Sequence, residues 1–192
     1  SNHVRQTAAA AAKLGMKCHA VLERRVPDVA SSYETTGNVL FDHMFGATME
    51  FRPSGLDMNA EAQEVTNSLR DAGNNPYFIP GGGSNEIGAL GYVSSAQEIL
   101  QQITAQNLDP KCIVVATGSA GTQAGLVAGF HAHDCDIPII GISVRQPHDV
   151  QVENVYRLAV KTAALLTDRP LPRSRVLVDD GYVGPGYGIT TE

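Results

Sequence analysis

Four short stretches of this chain combine residue types and spacing that suit ligand binding. The first is Thr117-Gly118-Ser119-Ala120-Gly121-Thr122. Glycines let the backbone fold tightly, so that successive N–H groups converge on one spot. A helix starting at such a loop adds about half a positive charge there. Ser119 and Thr122 supply hydroxyl donors. By its physics the loop is a phosphate cradle; read more plainly, it is a tight strand-to-helix turn with an N-cap. It has neither the Gly-Lys-Ser/Thr ending of a nucleotide P-loop nor dinucleotide glycine spacing. The second stretch, Ser1-Asn2-His3, opens a helix, where free N–H groups suit an anion such as a substrate carboxylate. Taken alone it reads more readily as a plain N-cap. The third, Gly81-Gly82-Gly83-Ser84-Asn85, permits close backbone approach to a ligand or a flexible connection between lobes. The fourth runs from Asp179 to Gly188. Its glycines imply a shaped loop from which Tyr182 or Tyr187 projects a hydroxyl, and in isolation it reads as surface loop.

Other chemistries find less support. Asp179 and Asp180 are too few for a Mg²⁺ or Ca²⁺ site. His131 and His133 are two residues apart and cannot share a helix face. No His/Cys set has zinc spacing, and no Gly-x-Ser-x-Gly elbow occurs. Lys13, Lys17, Lys111 and Lys161 read as solvated surface. Cys18, Cys112 and Cys135 are odd in number and unpatterned, which fits a reducing cytosol better than a disulfide framework.

The elements that must position these loops alternate along the chain. Helices are expected from Ser1-Asn2 to Gly15, at 37–45, 59–72, 87–104, 122–131 and 150–166. Strands are expected at 18–22, 47–51, 76–80, 112–116, 137–144 and 176–178. That alternation predicts right-handed crossovers around a parallel sheet, the α/β class. A hand-over between lobes is placed near Gly81-Gly82-Gly83. With 192 residues, 43% of them hydrophobic and 18% charged, the chain can bury a real core. Its 14 basic and 20 acidic residues give a net charge of −6, which argues against nucleic acid as a partner. No run of about 18 apolar residues exists, so no membrane span is expected, and residues 1–12 lack the apolar core of a signal peptide. The start at Ser1 without an initiator methionine, and the stop just after a glycine-rich loop, read as an internal fragment truncated at both ends.

With the loops in order, the chain resembles the pyridoxal-phosphate enzymes of the tryptophan synthase β fold (fold type II). The branch is that of D-cysteine desulfhydrase, 1-aminocyclopropane-1-carboxylate (ACC) deaminase and L-cysteate sulfo-lyase. The stretches that carry the resemblance are residues 1–8, Ile79 to Asn85, Gly88 to Val93, Thr117 to Thr122 and Gly184 to Gly188. Asp57-Met58-Asn59-Ala60-Glu61, Gly121 to Leu126 and Glu153-Asn154-Val155-Tyr156 look most like the sulfo-lyases. Ser1-Asn2-His3 departs from the Ser-Asn-Gln usual in the deaminases.

The resemblance implies two lobes of parallel sheet flanked by helices, with residues 1–192 covering most of the small lobe and part of the large one. It implies pyridoxal 5'-phosphate as cofactor, its phosphate gripped by Gly118, Ser119, Ala120, Gly121 and Thr122. Asn2 would contact the cofactor ring oxygen, Ser1 to His3 the substrate carboxylate, and Tyr182 would stand near the cofactor as a catalytic residue. The Schiff-base lysine would lie upstream, in a Gly-Asn-Lys stretch these residues do not contain. The implied reaction is α,β-elimination from L-cysteate to pyruvate, sulfite and ammonia. D-cysteine desulfhydrase ranks second and ACC deaminase third, and a non-catalytic phosphate-ligand binder is the alternative outside enzymes. The implied setting is a cytoplasmic homo-oligomer, a dimer at full length, acting on a small amino acid with no metal.

Overall fold

The computed structural model describes residues 1–26 and 29–186. The chain divides into two compact units, Ser1–Gly82 and Gly83–Glu192.

The first unit holds α1 (Asn2–Lys13), β1 (His19–Arg24), α2 (Gly37–Met44), β2 (Thr48–Pro53) and α3 (Met58–Asp71). β1 and β2 pair in parallel, His19 against Thr48 through Arg24 against Pro53. α1 forms because its alanine run favours helix, and it buries Ala8 and Ala11. α3 starts at Asp57, whose carboxylate accepts from the Asn59 and Ala60 amides at 3.0 and 3.2 Å.

The second unit holds α4 (Glu86–Ala105), β3 (Ile113–Thr117), α5 (Gly121–Ala132), β4 (Ile139–Ser143), α6 (His148–Ala163) and β5 (Leu177–Asp179). Its sheet has the order β3-β4-β5, parallel throughout. The strands are short apolar runs rich in β-branched residues, the pattern of a covered parallel sheet. α5 is buried from Gln123 through Phe130. It packs against α4 and α6 and onto β3 and β4. Phe130, Val127 and Val155 are the large apolar side chains at the centre of this core.

The architecture is therefore the α/β arrangement of parallel sheets flanked by helices. Two expected elements differ. Residues 76–80 form no strand: Pro76 and Pro80 bring no N–H to a ladder, and Tyr77 and Ile79 are exposed. α6 ends at Ala163, so Leu166, expected on its core face, lies beyond the helix and is exposed.

Candidate active site

β3 leaves the sheet at Thr117, whose carbonyl accepts from the Val144 amide at 3.0 Å. α5 begins four residues later, so the loop Gly118 to Thr122 lies beyond the carboxyl end of a parallel strand, where open α/β sheets bind ligands. Ala120 caps α5 with φ 77° and ψ −24°, a left-handed backbone on a residue that carries a Cβ, and supplies no side-chain cap. Such a conformation is costly and persists only where its surroundings impose it. A left-handed residue at a helix start also turns neighbouring amides toward a common point. The first amides of a helix have no acceptor within it. The Gly121 amide donates to Ser84 Oγ at 3.2 Å.

Space around the loop is tight. A Cβ on Gly118 would stand 2.9 Å from a Val144 methyl, and one on Gly121 would stand 2.9 Å from Ser84 Oγ. Ser84 arrives there on the third candidate stretch. Gly82 and Gly83 take φ 71° and 62°. A Cβ on Gly88 would collide with the Gly83 carbonyl oxygen at 2.0 Å, so the first turn of α4 sits directly on this glycine turn. Asn85 caps α4, its Oδ1 accepting from the Gly88 amide at 2.7 Å. The structure thus brings two of the sequence's glycine loops together through one hydrogen bond.

Ser1, Asn2 and His3 belong to the other unit. Ser1 Oγ accepts from the Val4 amide at 3.4 Å, so Ser1 is the N-cap of α1. Asn2 Oδ1 accepts from the Arg5 guanidinium, which also lies 6.0 Å from the centre of the Phe41 ring. His3 is exposed. In the fourth stretch both aspartates are spent on the backbone: Asp179 accepts from the Gly181 amide at 2.8 Å and Asp180 from the His148 amide at 2.7 Å. No cluster of metal-ligating side chains occurs among the described residues. Tyr182 is 75% exposed. Tyr187 and Gly188 lie outside the described residues. All four lysines are exposed.

The sequence family described as pyridoxal-phosphate dependent enzyme matches residues 1–192. The chain belongs to this family. The crystal structure of an ACC deaminase homologue is 33% identical, with a TM-score of 0.73 over 93% of this chain and 52% of that one. A T.th. threonine deaminase is similar at 20% identity and TM-score 0.53, over 75% of this chain and 42% of that one. A hydrogen sulfide-producing enzyme from Fusobacterium nucleatum shares the fold at 16% identity and TM-score 0.57, over 93% of this chain and 58% of that one. The chain spans about half the length of the ACC deaminase homologue. No described helix is long and apolar enough to cross a membrane.

The Gly118–Thr122 loop fits the cofactor's phosphate: a Cβ at Gly118 or Gly121 would crowd Val144 or Ser84, one non-glycine residue is held left-handed, and a helix N-terminus is left without a side-chain cap. Sequence reasoning missed the Arg5 contact to Asn2, the Asp180 contact to α6 and a buried bond from Gln151 Nε2 to Thr117 Oγ1. Only the acceptor chemistry of Asp180 next to a glycine loop hinted at the second.

Proposed function

We propose that the protein is a pyridoxal-phosphate-dependent carbon–sulfur lyase that converts L-cysteate and water to pyruvate, sulfite and ammonia. The observation that carries the reading is the left-handed Ala120 at the start of α5, a helix N-terminus without a side-chain cap. The sulfo-lyase-like runs at Asp57–Glu61, Gly121–Leu126 and Glu153–Tyr156 favour cysteate within the branch. Residues 1–192 supply most of the small lobe and part of the large lobe of this lyase. A dimer and a cytoplasmic setting belong to the same reading, and sedimentation of the intact protein checks the dimer.

Pyridoxal phosphate, when bound, supplies an electron sink that lets an amino acid lose its α-proton. The amides of Ser119, Ala120 and Thr122, with the Ser119 and Thr122 hydroxyls, would hold the phosphate, while the Gly121 amide is taken by Ser84 Oγ. Ser1 Oγ accepts from Val4 and so keeps its own proton to donate to the substrate carboxylate. Arg5 holds Asn2 Oδ1, which leaves the Asn2 amide nitrogen as a donor to the cofactor ring oxygen. Tyr182 offers a phenolic proton. Within the Gly83–Glu192 unit, Ser84, Asn85 and Tyr182 would supply donors for the sulfonate. With its Oδ1 committed to Gly88, Asn85 donates through its amide nitrogen.

Ser84 and Asn85 are half-buried, and a thiol would leave them unpaired, at up to about 1–3 kcal/mol for each group that the bound substrate closes off from water. The intact enzyme is therefore expected to favour L-cysteate over D-cysteine by at least about tenfold in kcat/KM. Pyruvate release, with sulfite and sulfide read separately, measures it. A preference for D-cysteine makes the protein a desulfhydrase. The 33% identity to an ACC deaminase homologue favours one further reading, ring opening of ACC. Faster turnover of ACC than of cysteate would establish it.

A further inference from the structure

We propose that Gln151 is a positioning residue for the phosphate cradle, acting through Thr117; the proposal rests on the phosphate reading of the Gly118–Thr122 loop. Gln151 sits in the first turn of α6 with its amide bonded to the Pro147 carbonyl at 3.0 Å. Its side chain is fully buried, and Nε2 donates to Thr117 Oγ1 at 2.8 Å. Thr117 is itself only 2% exposed. The Gln151 Oε1 has no partner among the described residues. A buried amide with one side unpaired is costly, and an apolar residue of similar volume would avoid that cost. A role for the Nε2 donor accounts for the choice.

That donor holds the last residue before the loop. The Thr117 main chain is already fixed by β4, through its register with Ser143 and its carbonyl bond to Val144. Gln151 fixes the side chain. Three residues later Ala120 must stay left-handed, a conformation that survives only when its flanks are over-determined. The same turn of α6 also receives Asp180, whose carboxylate takes the His148 amide two residues before Tyr182. One helical turn therefore anchors both the cradle and the start of the tyrosine loop.

The test compares the intact wild-type protein with T117V, T117S, Q151L and the double variant T117V/Q151L. Pyridoxal phosphate affinity is read by absorbance titration, inorganic phosphate is the competitor, and thermal melting is followed in parallel. T117V and Q151L should each weaken cofactor binding about tenfold. The double variant should be no weaker than either single one, because both remove the same bond. T117S keeps the hydroxyl and should bind like wild type. The double variant, which pairs two apolar groups, should melt close to wild type while remaining weak in binding. If Q151L does not fold, T117V interrogates the same bond from its other end. Wild-type affinity in T117V and Q151L, with wild type still competed by phosphate, overturns the proposal and leaves the cradle reading intact. Independent, additive losses that track melting temperature also overturn it. If phosphate does not compete even with wild type, the cradle reading falls and this proposal with it.

Discussion

The glycine at position 121 matters through what its hydrogen leaves room for. Replacing it with Val would push a Cβ to within 2.9 Å of Ser84 Oγ, where the Gly121 amide now finds its acceptor. Ser84 would have to rotate away, and the added methyls would enter the space the phosphate needs. We expect Gly121→Val to weaken pyridoxal phosphate binding by at least about tenfold, a loss of ~1.4 kcal/mol, read by titration of cofactor absorbance. Unchanged affinity would remove Gly121 from the cradle. The turn was legible in the sequence because glycines between a β-branched run and a helix mark a tight strand-to-helix connection, which suits a phosphate and a plain N-cap alike. Ser84 at its rim and Gln151 behind it were not, since those hydrogen bonds join residues 37 and 34 positions apart. Nothing in the local sequence reports a contact of that kind.

At the scale of elements, α4 and α5 meet through their smallest residues. A Cβ on Gly125 would come 2.4 Å from the Ala89 carbonyl oxygen, and one on Gly129 would come 2.6 Å from the Ala96 Cβ. The first of these neighbours is backbone, so no side-chain rotation relieves it and the helices would have to separate. Because α5 starts at the cradle, that separation would shift the loop as well. Gly125→Val is expected to destabilise the fold by about 1–3 kcal/mol or more, with a lower denaturant midpoint as the readout. A midpoint equal to wild type would mean that α4 and α5 are not closely packed. Helix and strand alternation was legible because apolar periodicity dictates it. The missing strand at residues 76–80 was not, because its apolar residues looked like a strand while its two prolines denied it a ladder. The end of α6 was missed for a related reason: Leu165 and Leu166 are apolar yet exposed, so periodicity carried the helix too far.

At the scale of the whole molecule, the Ser1–Gly82 unit carries two carboxylates whose titrations pull its stability in opposite directions. Asp42 is fully buried with both carboxylate oxygens unpartnered among the described residues. Burial pushes its carboxyl up, against the opposing positive charges that include His43 and Arg5. The folded state therefore holds a proton that the unfolded chain releases at about pH 3.9. Stability then falls as pH rises from that value through the raised one, and stays lower above it. Glu50 has the opposite sign. Its hydrogen bond to Arg52 holds it down, with His19 adding to the effect. Its contribution is present above the unfolded glutamate value and is lost as pH falls through the lowered one. From these two groups the unit should be most stable within the ordinary carboxylate range and lose stability on both sides. Asp42→Asn should abolish the decline on the alkaline side and melt higher than wild type at the alkaline end of a pH scan, since a buried neutral amide costs less than a buried charge. Glu50→Gln should make the acid limb shallower, Glu34 with its hydrogen bond to Arg24 supplying part of what remains, and should melt lower at neutral pH. Thermal melting of the three proteins across pH decides both. An Asp42→Asn protein that keeps the wild-type slope above pH 4 would show that Asp42 is not the group responsible.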